Sequence, residues 1–101
     1  MRYRPTALGW IDPDFTLAPE WDAARVQQLA RRLGYELMWP RAGSQLPLPD
    51  QVRESDAEAL IIPAPEHLDP LTLNAVMHYR DVESVCPRLS FARWSITGAR
   101  V

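Results

Sequence analysis

The sequence has 101 residues and a mass of 11.5 kDa, so a single domain over 1–101 is expected, since domains most often run to about 100–150 residues. Apolar residues make up 47% and charged residues 24%, ordinary globular values that exclude disorder throughout, and no apolar run approaches the roughly 20 residues of a membrane span. The net charge of −2 is unevenly spread: residues 1–49 carry six arginines against five acids, 50–83 two against eight, and 84–101 three and no acid.

The acidic middle argues against a nucleic-acid surface, because phosphate neutralisation supplies most non-specific affinity. A single cysteine, Cys86, excludes an intramolecular disulfide and fits a reducing, cytoplasmic setting. Followed by Pro87, it reads as a small buried or edge residue. Residues 1–5 hold two arginines without an apolar stretch behind them, so no signal peptide is expected. All eleven basic residues are arginine and ten residues are proline, the composition of a GC-rich, actinobacterial type of genome.

Residues 6–11 form a short apolar run stopped by Asp12-Pro13-Asp14, which predicts a first strand. Gly9 within it implies a close approach of another group to the backbone. Pro19 opens a helix, with Glu20 and Asp22 in its first turn and Arg31 and Arg32 in its last, matching the helix dipole at both ends. Val26, Leu29, Ala30 and Leu33 form its apolar stripe, which Trp21 extends, and Gly34 ends it. A second strand is expected over 35–39 and a short helix over 50–55 with Asp50 as its cap. The run Ala59-Leu60-Ile61-Ile62 reads as a central parallel strand covered on both faces. Asp69-Pro70 starts a helix expected to reach about residue 83, with Leu73, Val76, Met77 and Arg80 on one stripe. Residues 89–94 alternate apolar and polar, as an edge strand does. Alternating elements of this kind imply an α/β domain of three layers, flavodoxin-like, with about four mostly parallel strands in the order 2-1-3-4.

Parts of this pattern resemble the N-terminal catalytic domain of the serine recombinases, the resolvases and invertases. The residues that carry the likeness are Ala7-Leu8-Gly9-Trp10-Ile11, the helix over 20–33, Gly34-Tyr35-Glu36-Leu37, Asp56-Ala57-Glu58-Ala59-Leu60-Ile61-Ile62, and Glu66-His67-Leu68-Asp69-Pro70. The resemblance implies a resolvase-like fold. That family's first strand ends in Arg-x-Ser, whose serine attacks a DNA phosphodiester; here the matching positions hold Asp12-Pro13-Asp14. The arginines of its Asp-Arg-Leu-x-Arg motif are matched by His67 and Pro70. Phosphoryl transfer needs an activated hydroxyl and cations around the phosphorane, and carboxylates would repel the DNA backbone. The likeness therefore implies a bacterial or phage-derived pseudoenzyme without strand-transfer activity.

In an open parallel sheet, ligands bind beyond the carboxyl ends of the strands, at the switch point. The loops after the first and third strands would meet there, gathering Asp12, Asp14, Glu66, His67 and Asp69. Asp12, Asp14, Glu66 and Asp69 are hard oxygen ligands of the kind that hold Mg²⁺ or Mn²⁺. The competing reading makes Asp69 an N-cap and Asp12 and Asp14 members of a turn around Pro13. His67 and His78 are too few and too scattered for a zinc signature.

Four tryptophans, Trp10, Trp21, Trp39 and Trp94, are a high count for this length. They either fill a small core or anchor an interface, where tryptophan is enriched. Trp94, with Phe91, Arg88 and Arg93 beside it on the expected edge strand, is the candidate anchor for a protein partner or a second copy. The expected function is a non-catalytic interaction or regulatory module. The alternative is a small divalent-metal-dependent or phosphate-handling enzyme using the acidic cluster.

Overall fold

A computed structural model describes residues 4–93 of the chain. Five strands form one mixed sheet: β1 (Thr6–Gly9), β2 (Glu36–Met38), β3 (Ala59–Ile62), β4 (Asp81–Ser84) and β5 (Leu89–Phe91). Their order is β2-β1-β3-β4-β5. The first four run parallel and β5 pairs antiparallel with β4. Three helices connect them: α1 (Pro19–Leu33), α2 (Leu48–Ser55) and α3 (Pro70–Met77), with a 3₁₀ turn over Pro65–His67 before α3. The α/β class and the 2-1-3 core of the sheet agree with the sequence reading. The expected four strands become five, and the expected fourth is the fifth.

Right-handed crossovers account for the layers. The chain steps one way from β1 to β2 and the other way from β2 to β3 and from β3 to β4, so α1 covers one face and α2 and α3 the other. The two core clusters follow this division. Val26, Leu29 and Ala30 of α1 pack on Ala7, Ala59 and Ile61. Leu48 and Val52 of α2 and Val76 of α3 pack on Leu8, Leu60, Ile62 and Val82. Every residue of β3 is buried, as its unbroken apolar run required.

The sequence places α1 well. Pro19 occupies the first turn, and Gly34 takes the left-handed conformation at φ 86° that ends the helix. The Tyr35 amide then returns to the Ala30 carbonyl at 2.8 Å. Leu33, expected on the buried stripe, is exposed, and so is Trp21. Both lie near the ends of a 15-residue helix, about 22 Å long, that packs on strands of 4 residues, about 13 Å long.

Gly9 meets its expectation. A Cβ there would lie 2.7 Å from the Trp39 ring, so the indole crosses the end of β1 where only glycine leaves room. The first two strands are shorter than expected: β1 stops at Gly9 and β2 at Met38. α2 starts at Leu48 after Pro47, so Asp50 lies inside the helix rather than capping it. α3 ends at Met77, and residues 81–84 form β4. Val82 and Ser84 alternate inward there, and β3 supplies a parallel partner over four residues, which outweighs any continuation of the helix. Cys86 is exposed in the turn between β4 and β5, preceding a cis Pro87.

Candidate functional site

The carboxyl ends of β1, β2 and β3 open onto a cleft of about 720 Å³. Trp10 forms its floor, residues 40–49 one wall, and the segment from Glu66 to Asp69 the other. Asp12, Glu66, His67 and Asp69 all line it, as the topology argument expected, but Asp14 does not. Arg41 is on the opposite wall.

His67 organises this end of the molecule. It is 5% exposed. Its Nδ1 accepts the Asp12 amide hydrogen at 2.9 Å, across 55 residues of sequence. The tautomer follows from this bond: an accepting Nδ1 leaves the proton on Nε2. Nε2 faces Asp22 Oδ2 of α1 at 4.0 Å, and the Thr16 hydroxyl donates to the same oxygen. The Phe15 ring meets the imidazole edge-on, centroids 5.0 Å apart. The Trp10 indole donates to the His67 carbonyl at 3.3 Å. Burial pushes the imidazole pKa down, against the opposing pull of Asp22, Asp12 and Glu66. His67 is thus a neutral latch joining the β1–α1 loop to the 3₁₀ turn. Its acceptor nitrogen is occupied and unavailable as a general base.

The carboxylates are similarly committed. Asp12 Oδ1 accepts the Asp14 amide at 2.9 Å, and the Asp12 carbonyl accepts from the Phe15 and Thr16 amides. This is the turn around Pro13 expected from sequence. Asp69 caps α3, accepting from the Thr72 amide at 2.8 Å and the Thr72 hydroxyl at 3.0 Å. Those bonds hold its carboxyl below the usual range. Among the described residues no three His, Cys, Asp or Glu side chains converge as a metal-ligand set. The topology brings Asp12, Glu66 and Asp69 to one cleft without aiming them at one point.

The edge-strand candidates are placed differently. Phe91 is half-buried and packs against the cluster beneath α2 and α3. Arg88 is tied inward by a 2.9 Å ion pair to Glu83 and by bonds to the Ser84 and Leu89 carbonyls. Arg93 is exposed, and its amide donates to Asp81 at 2.6 Å. Trp94 lies outside the described residues.

What the sequence reading passed over is the β1–α1 loop itself. Leu17 is fully exposed at 100%, Trp21 at 63% and Phe15 at 48%, while Leu71, in the first turn of α3, is at 82%. The one available signal is the Phe15-Thr16-Leu17 run between Pro13 and Pro19, two large apolar residues in a segment with no helical or strand period.

No protein-family model matches the chain, and neither the curated proteins nor the solved structures give a match. Among the described residues no helix is long and apolar enough to cross a membrane.

Proposed function

We propose that this chain is a non-catalytic protein-interaction or regulatory module on a degenerate recombinase-like scaffold, docking through the carboxyl end of its sheet. The observation that carries this reading is the full exposure of Leu17, with Phe15 two residues before it also exposed, on a loop that His67, Asp12, Thr16 and Asp22 hold in place; Trp21, in the first turn of α1 that follows, is exposed as well. Large apolar side chains on a fixed loop are pre-organised for burial against a partner. The groups where the resembled family keeps its nucleophile are engaged in a turn, which favours a pseudoenzyme over a catalyst.

The test is capture from extract of the native host with immobilised wild-type chain and with Leu17→Ser/Trp21→Ser. Both side chains are exposed, so the double variant keeps its melting temperature. A stoichiometric partner held by wild type and lost by the variant is expected. Equal capture by both, or none specific to wild type, overturns the reading.

One observation favours the second reading, a divalent-metal-dependent or phosphate-handling enzyme: Asp12, Glu66 and Asp69 share a cleft at the switch point of the sheet.

A further inference from the structure

Going beyond the docking reading, we infer that the cleft at the carboxyl end of the sheet binds a small zwitterion with an apolar body, the size of a dipeptide or tripeptide. Its volume of about 720 Å³ lies within the range of about 300–1,000 Å³ that small-molecule sites occupy. Its two walls differ in sign. Arg41 stands on the wall of residues 40–49, and Glu66 and Asp69 on the wall opposite. Asp12 is tied to the acidic wall through His67. Arg41 and these acids share the cleft yet form no ion pair, so their charges stand more than 4 Å apart.

Most other polar side chains of the lining are already engaged. The Trp10 indole donates to the His67 carbonyl. Ser44 Oγ accepts the Leu46 amide, and the Gln51 side chain donates to the Leu46 carbonyl. The Thr72 hydroxyl donates to Asp69. Among the described residues the Arg41 guanidinium and the Glu66 carboxylate have no hydrogen bond or ion pair. One cation and one anion are thus left facing the same space, over an apolar lining of Trp10, Leu46, Leu48 and Leu68.

These groups select the ligand. A phosphate group asks for cations or for free amides at a helix start. The wall that begins α3 offers neither, because Asp69 already accepts the Thr72 amide. A simple anion is repelled by that wall, and a simple cation leaves Arg41 unmatched. A zwitterion matches both. Its carboxylate accepts from the planar Arg41 fork, its ammonium donates to Glu66, and its apolar body covers Trp10. In a single α-amino acid both charges sit on one carbon and cannot face opposite walls. In two or three extended residues they stand about 7–10 Å apart.

The probes are the peptides Leu-Phe and Leu-Phe-Leu. Ac-Leu-Phe lacks the ammonium and Leu-Phe-NH₂ lacks the carboxylate. Binding to the ¹⁵N-labelled full chain is read from the Trp10 indole N–H resonance, assigned with Trp10→Phe, and from the amides of residues 41–48 and 66–69. At least one of the two zwitterions moves these resonances saturably. Arg41→Gln weakens it about fivefold, the upper end for an ion pair that solvent reaches, and leaves Leu-Phe-NH₂ unchanged. Glu66→Gln weakens the zwitterion and Leu-Phe-NH₂ alike, again about fivefold. Both side chains are exposed, so both variants keep the melting temperature of wild type.

No saturable movement with either zwitterion overturns the inference. So does movement that Arg41→Gln and Glu66→Gln leave untouched, or tighter binding of Ac-Leu-Phe or inorganic phosphate than of the zwitterions. A Trp10 indole shift that follows protein concentration without peptide overturns it too, since a second copy is then the occupant. Capture of a partner through Leu17 and Trp21 is tested separately, and neither result decides the other.

Discussion

At the amino end of the sheet, Arg4, Arg31, Arg32, Arg80 and Arg93 stand among Glu36, Asp56, Glu58 and Asp81. Arg80 pairs with Asp56 and donates to the Ala57 carbonyl, and Asp81 accepts the Arg93 amide. The large exposed apolar side chains there are Leu33 and Tyr79, and the Arg53 guanidinium covers the Tyr79 ring at 4.8 Å. At the carboxyl end the remaining exposed large hydrophobics gather, from Phe15, Leu17 and Trp21 to Trp39, Leu46, Leu71 and Leu89. Among the described residues Asp14, Glu20, Glu66 and Asp69 form no ion pair there, while Arg41 stands beside Trp39 and Leu46 and Arg25 over Trp21. The amino end thus mixes charges of both signs around two exposed apolar side chains, and the carboxyl end carries most of the exposed apolar ones. Scattered exposed leucines need no explanation in a small domain; their concentration at one end does.

The largest expected effect tests whether the carboxyl end is a fixed surface. His67→Ala leaves the Asp12 amide without its acceptor and opens a void under Phe15. Together these cost about 2–4 kcal/mol, read by urea or thermal unfolding. The amide resonances of residues 12–18 should shift in the variant. A destabilised protein whose loop resonances stay in place would show that the loop is held by something other than the latch.

Titration sharpens the same comparison, because the two ends respond to opposite extremes of pH. Burial lowers the His67 pKa below 6.5. The unfolded chain therefore binds the proton first, and stability is lost as pH falls from 6.5 through the folded value. Protonation also puts a hydrogen on Nδ1, facing the Asp12 amide. At the amino end, burial raises the Tyr35 pKa above 10.0, with Glu83, Asp81 and Glu58 adding to it. Its contribution is complete below pH 10.0 and is lost as pH rises through the folded value. Urea midpoints across pH should fall on both sides. His67→Gln should flatten the acid limb alone and Tyr35→Phe the alkaline limb alone. An acid limb unchanged in His67→Gln would move that transition to the carboxylates.

A smaller and opposite effect is expected at Ser84, at the carboxyl end of β4. Its side chain is fully buried, and its hydroxyl has no hydrogen-bond partner among the described residues. Ser84→Ala removes a desolvated polar group with almost no loss of volume. It should raise stability by about 1 kcal/mol. A destabilised variant would indicate that the hydroxyl has a partner in solution.

The sequence made the frame legible where local and tertiary signals agree. α1 carries a proline start, an apolar stripe and a glycine stop. β3 is four apolar residues in a row and sits at the centre of the sheet. β4 was hidden because Val82 is its single apolar member and Glu83 continues the spacing Leu73, Val76, Arg80. Only pairing with β3 makes residues 81–84 extended. The acidic positions of the cleft were legible from topology, since loops after adjacent parallel strands must meet. The His67 latch was not, because its partner is a backbone amide 55 residues away, and an amide leaves no mark on the sequence pattern. Nor was the exposure of Leu17, since an apolar residue in a loop reads the same whether it is buried or not.

The smallest expected effect decides between the two functional readings. Asp12 spends one oxygen on the Asp14 amide, Asp69 spends both on Thr72, and no described trio of carboxylates or imidazoles converges. A divalent cation asks for several oxygens at 2.0–2.6 Å from one point, so binding here would require breaking the turn at Pro13 and the cap of α3. Millimolar Mg²⁺ or Mn²⁺ should therefore leave the melting temperatures of wild type and Asp12→Asn in step. A site occupied at 100 times its dissociation constant would stabilise the fold by about 2.7 kcal/mol, well within the resolution of a thermal shift. A rise of that size in wild type and not in Asp12→Asn would mean that the cleft rearranges to take a metal. The acidic border would then be a ligand set in waiting rather than the rim of a docking surface.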